Sequence, residues 1–474
     1  MQAPATKHFK AGLLTAVVAL TGCSDSIGAP HPTSAPTHPI EHIVILVQEN
    51  RSFDNLFAGF PGADTAMHGW CKPSPGWCKT AREVPLHSVR LATGSPSFGK
   101  DIEHSHRGFE IECDRNSANV CRMDGFDLIR FGESADGPPA KLYPYAYVER
   151  SETAPYWNLA QRYTLADRMF STDTASSFIA HQELIAGTVR LNDRESLTDQ
   201  PDNTPWGCDA PPGTVTPVLF RNGRYDAHGP FPCFTEYETI AALLDARNVS
   251  YRYYVDGFKE NKPHFDFSGA VWNGFDAIKG FRYSPDWKTH ISIPNTNIFA
   301  DAEAATLPAV SWVVPNLHDS DHAASGCNGG PWWVTKVVNA LGTSRYWKSV
   351  AIVLLWDDWG GWYDNVPPPQ VNYTSLGARV PMIVISPYAK PHFISHTQYD
   401  FGSILKLIEQ NFGLGSLGTT DASANSMADV FDFTQPPKAF EPAALPPVES
   451  CGKEGRAGGA SLRQIIRHDG GVPE

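Results

Sequence analysis

Short, nearly continuous apolar runs, separated by amphipathic stretches, dominate the hydrophobic pattern of the chain. The first run is 42–48 (HIVILVQ), and similar runs follow at 249–255, 308–314, 349–356 and 380–386. Runs of this length, rich in β-branched residues, are typical of strands buried on both faces of a parallel sheet. The pattern therefore predicts a central, mostly parallel sheet.

The stretches between these runs carry apolar residues at helical spacing. They include 236–247 (EYETIAALLDAR), 332–341 (WWVTKVVNAL) and 400–412 (DFGSILKLIEQNF). Helices that alternate with buried strands pack on the two faces of the sheet. We therefore expect the α/β class, with a three-layer α/β/α sandwich.

The composition indicates a large hydrophobic core and argues against a nucleic-acid partner. The chain has 474 residues, 42% of them hydrophobic, which is enough for a large core, and 39 Gly and 39 Pro predict many loops. The formal net charge is -13. Nucleic-acid binding needs clustered Lys and Arg against the phosphates, so we expect no nucleic-acid partner.

The N-terminus indicates export. Lys7 and Lys10 precede an apolar stretch at 11–20 (AGLLTAVVAL) that is too short to span a bilayer, and Leu20–Cys23 (LTGC) then resembles a bacterial lipobox. We expect a signal peptide at 1–22, with Cys23 lipidated and anchoring the exported protein to a bacterial membrane. The alternative is an ordinary secretory signal that contains a Cys.

The remaining boundaries follow from composition. Residues 23–38 are rich in Ser and Pro and predict a tether, 39–435 contain the apolar runs and predict the folded domain, and 436–474 predict a Pro- and Gly-rich tail.

Eight cysteines follow Cys23, and an even number in an exported protein predicts disulfides. Short separations favour Cys71–Cys78 and Cys113–Cys121. Cys208–Cys233 is a further candidate, which would leave Cys327–Cys451. Spacing alone leaves other pairings open, and a zinc site is the rival interpretation.

Two strand ends carry the candidate chemistry. Glu49 and Asn50 follow the run at 42–48, and Asp357 and Asp358 follow the run at 349–356. Ligands of open α/β sheets bind beyond the carboxyl ends of the strands. Adjacent carboxylates repel each other unless a cation lies between them, and all-oxygen ligands suit Ca²⁺ or Mg²⁺. Helix capping and turn formation are the alternative roles.

Several motifs resemble one known family. They are Ile43–Phe57 (IVILVQENRSFDNLF), Asp357–Pro369 (DDWGGWYDNVPPP), Arg379–Pro387 (RVPMIVISP) and Tyr399–Gly413 (YDFGSILKLIEQNFG). They resemble the bacterial phosphoesterase family that contains phosphatidylcholine-preferring phospholipase C and a respiratory-burst-inhibiting acid phosphatase. The resemblance implies an alkaline-phosphatase-like fold and phosphoester hydrolysis.

The resemblance also assigns roles. It implies that Glu49, Asn50, Asp357 and Asp358 bind a divalent metal ion, Ca²⁺ or Mg²⁺. The family nucleophile opens a helix, and the matching stretch here is Ser177–His181 (SFIAH). Ile179 and Ala180 replace the usual Pro-Asn, whereas Ser177 and His181 stay in register; Ser176 is a rival for the nucleophile. Arg51 and Asp364 are expected to support the site.

Two further histidines come from matching segments. His104 lies in an Asp-x-x-His-Ser motif at 101–105, and His322 lies in Ser320–His322, where Asp321 replaces the family's Glu. Positioned imidazoles can donate to phosphoryl oxygens or protonate a leaving alkoxide. His318 competes with His322 for this role.

The predicted function is that of an exported metal-dependent phosphoesterase. It would hydrolyse phospholipid head-group diesters by in-line attack of Ser177, through a phosphoseryl intermediate. An acid phosphatase acting on small phosphomonoesters is one alternative. A non-catalytic surface-binding lipoprotein is an alternative of another class.

Overall fold

The computed structural model describes residues 39–72, 76–78, 83–92, 101–132, 137–257, 268–325 and 327–448. The predicted signal peptide, Cys23, the tether and Cys451 lie outside these residues. The described part of the chain contains no helix with both the length and the apolar character needed to cross a bilayer.

Sixteen strands form within the described residues. They are β1 (His42–Gln48), β2 (His68–Trp70), β3 (Glu83–Pro85), β4 (His87–Val89), β5 (Ala146–Val148), β6 (Thr164–Phe170), β7 (Arg190–Asn192), β8 (Glu195–Leu197), β9 (Val218–Phe220), β10 (Tyr225–Asp226), β11 (Tyr251–Tyr254), β12 (Ile291–Ser292), β13 (Val310–Val313), β14 (Val350–Trp356), β15 (Arg379–Ile385) and β16 (Phe393–Ser395).

Twelve α-helices accompany them in the same residues. They are α1 (Phe53–Phe57), α2 (His106–Cys113), α3 (Arg150–Arg162), α4 (Ser177–Ala186), α5 (Ile240–Ala246), α6 (Ser268–Val271), α7 (Lys279–Arg282), α8 (Asp286–His290), α9 (Asn297–Ala304), α10 (Gly330–Thr343), α11 (Phe401–Phe412) and α12 (Thr420–Ser423).

Eight strands make the central sheet, in the order β12-β11-β13-β1-β14-β15-β6-β16. All neighbouring pairs are parallel except the two that involve β15, which runs against both β14 and β6. The prediction of a mostly parallel sheet is confirmed. All five predicted apolar runs form strands of this sheet.

Helices cover both faces of the sheet. Trp312 of β13 donates from its indole to Leu184 O of α4, and the Trp356 ring of β14 packs edge-on against Tyr156 of α3, with centroids 5.0 Å apart. The register places Trp312 beside Ile45, and Ile45 beside Val353, on one face. Trp356 is three residues beyond Val353, and side chains alternate, so it points to the other face. The three-layer sandwich is therefore confirmed.

Segments outside the central sheet form smaller sheets and contain disulfides. A four-stranded sheet of β10, β9, β8 and β7 and two two-stranded sheets lie outside the central sheet. Disulfides join Cys71 to Cys78, Cys113 to Cys121, and Cys208 to Cys233 as predicted. Cys327 is also disulfide-bonded; its predicted partner Cys451 lies outside the described residues.

Candidate active site

The site is built where β1 and β14 end side by side. Parallel pairing puts Gln48 opposite Trp356, and the backbone N–H of Asp357 donates to Gln48 O over 3.0 Å. The two polar pairs, Glu49–Asn50 and Asp357–Asp358, therefore leave the same edge of the sheet together. All four side chains are buried, with at most 1% of any of them exposed.

Asn50 links the pairs. Its backbone N–H donates to Asp357 Oδ1 over 3.0 Å, and its side-chain Nδ2 lies 3.1 Å from Asp358 Oδ2. Asn50 adopts a positive φ of 57°, a conformation that Asn tolerates better than most residues. Gly360, at φ 61°, lies so close that an added Cβ would be 2.3 Å from Asn50 O. Only glycine fits there, and its N–H donates to Asp358 Oδ1 over 2.7 Å.

Ser177 is the first residue of α4, and its hydroxyl points into this cluster. Its Oγ donates to Asp358 Oδ2 over 3.0 Å and accepts from Asn50 Nδ2 over 3.2 Å. The rival Ser176 occupies the N-cap position, and its hydroxyl donates to Gln200 Oε1 over 2.6 Å. The structure thus separates the two serines: Ser177 faces the carboxylates, and Ser176 hydrogen-bonds outside the cluster.

His181 lies one turn further along α4. Its Nε2 is 3.0 Å from Glu49 Oε1, and its Nδ1 is 3.3 Å from the Tyr253 hydroxyl. Tyr253 donates its own proton to Trp272 O over 2.9 Å, so its oxygen accepts from Nδ1–H of His181. The Nε2 lone pair therefore faces the carboxyl group of Glu49. A lone pair and a carboxylate repel each other unless a proton or a cation lies between them.

His104 contacts Asn50, and His322 contacts His104. His104 Nδ1 is 2.7 Å from Ile102 O, and its Nε2 is 3.0 Å from Asn50 Nδ2. The His322 ring packs edge-on against that of His104 with centroids 6.0 Å apart, and His322 Nε2 is 3.9 Å from Asp101 Oδ2. Of the two candidates, His322 is the one in ring contact with His104.

Asp321, Arg51 and Asp364 form buried hydrogen bonds that fix the segments next to the site. Asp321, which replaces the family's Glu, accepts from the Tyr156 hydroxyl over 2.8 Å and from the Trp356 indole over 2.9 Å. Arg51 donates to Asp321 O over 2.7 Å. Burial raises the pKa of Asp321 to about 6, and the Arg51 charge opposes that rise. Asp364 accepts from Arg379 Nε over 2.9 Å, which anchors the segment that follows the acidic pair.

The electrostatics of the cluster favour a cation. Burial, reinforced by the charge of Asp357, raises the pKa of Glu49 well above its usual range and that of Asp358 to about 8. Burial lowers the pKa of His181 to about 4, so its ring is neutral near pH 7. Among the described residues, Glu49 Oε2, Asn50 Oδ1 and Asp357 Oδ2 are buried without a hydrogen-bond partner. Such buried oxygens fit a hard divalent cation.

Two groups of potential metal donors emerge from this geometry. Donor atoms of Glu49, His181 and Asp357 all lie within 4.8 Å of one another, and so do those of Asp101, His104 and His322. The sequence singled out neither Asp101 nor Tyr253 as a site residue. Asp101 could have been found because it is the first residue of the motif that contains His104. Tyr253 could not, because it lies in an apolar run that predicts a buried core strand.

This chain is similar to several known proteins over most of its length. Phospholipase C A of Mycobacterium tuberculosis is 27% identical over 468 residues, covering 87% of this chain and 82% of that protein. Hemolytic phospholipase C of Pseudomonas aeruginosa is 23% identical, covering 83% and 56%, and non-specific phospholipase C3 of Arabidopsis thaliana is 23% identical, covering 84% and 74%. A solved Vibrio parahaemolyticus protein of the alkaline phosphatase superfamily gives 11% identity, 58% and 65% coverage and a TM-score of 0.32, a likeness too distant to define the fold.

The match to the family model and these relatives define a hydrolase of phosphoric esters. The chain belongs to the phosphoesterase family, whose model matches residues 40–415. All eight residues that the sequence proposed for the site lie in one buried cluster or in ring contact with it.

Proposed function

We propose that the protein is a metal-dependent phosphodiesterase of the phospholipase C type, with Ser177 as its nucleophile. One observation carries this proposal: Ser177 Oγ lies at the first turn of a helix, 3.0 Å from Asp358 Oδ2 and 3.2 Å from Asn50 Nδ2. A hydroxyl at a helix N-terminus is close to the positive end of the helix dipole, which favours a phosphate and an ionised nucleophile.

Glu49, Asn50, Asp357 and Asp358 are the residues that would hold the metal ion, Ca²⁺ or Mg²⁺. When bound, the ion would supply charge neutralisation for the phosphate and a lower pKa for the attacking hydroxyl. The unpartnered oxygens of Glu49, Asn50 and Asp357 support this assignment. The Nε2 lone pair of His181, directed at Glu49, adds a candidate nitrogen donor to this set.

The protein's own residues then provide the covalent chemistry. Ser177 gives its hydroxyl proton to Asp358 Oδ2, its hydrogen-bond acceptor, and its oxygen forms a bond to phosphorus while the bond to the leaving alcohol breaks on the opposite side. His104 contacts Asn50 and His322 contacts His104, and imidazoles so placed can hydrogen-bond phosphoryl oxygens and pass a proton to the departing alkoxide. Water next attacks the phosphoseryl ester, which releases the phosphorylated product and returns the hydroxyl to Ser177.

The named activities of the relatives support a diester substrate. Proteins from a mycobacterium, a pseudomonad and a plant that resemble this chain are all called phospholipases C. On this basis the substrate is a phospholipid, and the bond cleaved joins the glycerol backbone to the phosphorylated head group. Export and lipidation at Cys23 are part of the same proposal, because they would place the enzyme beside membrane lipids.

The testing experiment compares two chromogenic substrates, p-nitrophenylphosphorylcholine and p-nitrophenyl phosphate, with and without EDTA. Hydrolysis of the choline diester that EDTA abolishes and added Ca²⁺ or Mg²⁺ restores supports the proposal. Hydrolysis of the monoester alone makes the enzyme a phosphatase. A folded, metal-loaded protein that cleaves neither substrate, nor phosphatidylcholine vesicles, contradicts the proposal.

A further inference from the structure

A polar cavity of about 290 Å³ lies at the end of α4 that is remote from Ser177. Its walls come from the loop that precedes α4, from the second half of α4 itself, from the four-stranded sheet, from the turn at 372–375, and from α12 with the two residues before it. None of the eight proposed site residues lines it. Glu183, on its wall, is six residues beyond Ser177, or about 9 Å along the helix axis.

Glu183 of α4 is one of the buried side chains that line this cavity. It is 3% exposed, and its Oε2 is buried without a hydrogen-bond partner among the described residues. The carboxylate accepts one hydrogen bond from the backbone N–H of Asp173. A buried carboxylate oxygen that receives no donor is costly, because it has lost water and gained nothing in exchange. The oxygen therefore points to a ligand.

A second unpartnered oxygen faces the same space. Ser196 lines the cavity, is fully buried, and its Oγ has no hydrogen-bond partner in the described part of the chain. Ser196 belongs to β8, whereas Glu183 belongs to α4, so two independent elements each leave one oxygen unsatisfied. A single ligand between them would satisfy both.

Carboxyl groups outnumber cationic side chains in the described lining of the cavity. Asp173 lines it as a second buried carboxylate, which accepts from Thr174 N–H over 2.6 Å and from the Thr374 hydroxyl. Arg190 also lines it, and its guanidinium lies 5.5 Å from the Tyr373 ring centroid. Two carboxyl groups and one guanidinium line the cavity, and burial raises the pKa of Glu183 well above its usual range and that of Asp173 to about 7, so a cation between them would favour their ionised forms. The carboxyl end of α4 adds the negative end of the helix dipole.

The donor types narrow the ligand to one class. The described lining consists of carboxylates, hydroxyls, one carboxamide and backbone, together with Arg190 and Val189, and it contains no aromatic, histidine or cysteine side chain. An organic ammonium group is usually held by aromatic faces. Zinc and other soft ions prefer nitrogen and sulfur ligands. Oxygen donors alone suit a hard divalent cation that keeps part of its water shell.

We propose that this cavity is a second cation site, in which Glu183 Oε2, Ser196 Oγ and the carboxylate of Asp173 bind Ca²⁺. The site is separate from the proposed catalytic metal site and does not depend on it. Bound Ca²⁺ would fix the far end of the helix that carries Ser177, and it would join that helix to the four-stranded sheet.

The test counts calcium ions by isothermal titration of the chelator-treated full chain. The informative variant is Glu183→Gln, and Glu41→Gln, an exposed residue, is the matched control. We expect Glu183→Gln to bind one Ca²⁺ fewer than both the parent protein and the control. Near-ultraviolet circular dichroism verifies that the variant is folded. Ser196→Ala, a milder change, is expected to weaken the same site by at least about tenfold.

The substitution Asp357→Asn removes a ligand of the proposed catalytic metal site, so calcium binding at the second site can be measured alone. In that background one calcium site remains, and its stabilising thermal shift disappears when Glu183→Gln is added. If the catalytic site binds no Ca²⁺, the parent protein binds one ion and Glu183→Gln binds none, which still supports the second site. An unchanged number of ions in Glu183→Gln overturns the proposal; Glu183 and Asp173 then share a proton instead.

Discussion

The hydroxyl of Ser177 donates a 3.0 Å hydrogen bond to Asp358, a residue 181 positions further along the chain. The same carboxylate oxygen receives Asn50 Nδ2, and the other oxygen receives the N–H of Gly360. Asp358 is thus fixed by three segments before any ligand arrives. The orientation of Ser177 is preorganised by a residue that the sequence linked to it only through a family motif.

Replacing Ser177 should abolish turnover while leaving the fold intact. Ser177→Ala removes the attacking oxygen, and losses on the order of 10⁴-fold or more in kcat are expected for a nucleophile. Ser176→Ala is the matched control, because its hydroxyl bonds to Gln200 and not to the cluster. Rates on the choline diester, with thermal unfolding as the check on folding, decide the matter. Equal rates for Ser177→Ala and the parent protein would falsify the nucleophile assignment.

Replacing Asp357 should prevent metal binding. The variant should be less stable than the parent protein with metal present, and more stable than the parent protein in EDTA. With metal present, Asp357→Asn is expected to lose the stabilisation that binding provides, about 3–4 kcal/mol at saturating metal. In EDTA the same variant should be more stable than the parent protein, because the charge of Asp357 no longer acts on Glu49. Metal content and unfolding temperature measure both effects. The surface variant Asp226→Asn should behave like the parent protein, and an Asp357→Asn protein that retains full metal content contradicts the assignment.

Replacing His322 should affect substrates according to their leaving group. If His322 protonates the departing alkoxide, His322→Asn should lower kcat on phosphatidylcholine by about 10²–10⁴-fold. The effect on p-nitrophenylphosphorylcholine should be much smaller, because p-nitrophenolate is a weak base that leaves without a proton. His318→Asn serves as the control. An equal loss on both substrates would instead assign His322 to phosphate binding.

Glu409 should make stability depend on pH. Burial of this α11 side chain, 5% exposed, raises its pKa to about 7. A carboxyl whose pKa is about 4.3 when unfolded and about 7 when folded contributes stability below pH 4.3, and that contribution disappears as the pH rises to about 7. Glu409→Gln cannot ionise, so its unfolding temperature should exceed that of the parent protein increasingly up to pH 7. The expected gain is about 1–3 kcal/mol. Glu441→Gln is the exposed control, and a pH-independent difference excludes this origin.

Much of the sheet was predictable, because apolar runs specify buried strands. The run 42–48 coincides with β1, and 349–356 differs from β14 by one residue. β6 was missed because Asp167 and Arg168 interrupt its apolar pattern. Asp167 is nevertheless buried, with His396 Nδ1 2.9 Å away, and Arg168 pairs with Asp64. The antiparallel direction of β15 could not be predicted either, because an apolar run does not indicate in which direction its strand crosses the sheet.

The site was predictable to the extent that motifs mark it. Glu49, Asn50, Asp357 and Asp358 follow strand ends, and the pairing of those strands was enough to bring them together. The choice of Ser177 over Ser176 depends on which way the first turn of α4 faces, which is a property of packing. The orientation of the His181 Nε2 lone pair toward Glu49 depends on the hydrogen bond between His181 Nδ1 and Tyr253, and no local sequence pattern connects these two residues.

The position of β1 in the sheet imposes an order on biosynthesis. β1 lies between β13 and β14, and its partners for Ile43 are Val310 and Ala351, so neither exists until most of the chain has been synthesised. An early, largely apolar strand without partners is prone to aggregate. We therefore expect the nascent chain to depend on a holding chaperone, and folding to be slow because its central contacts are distant in sequence. Truncation before β14 should yield an insoluble polypeptide, since β1 would then lack one of its two neighbouring strands.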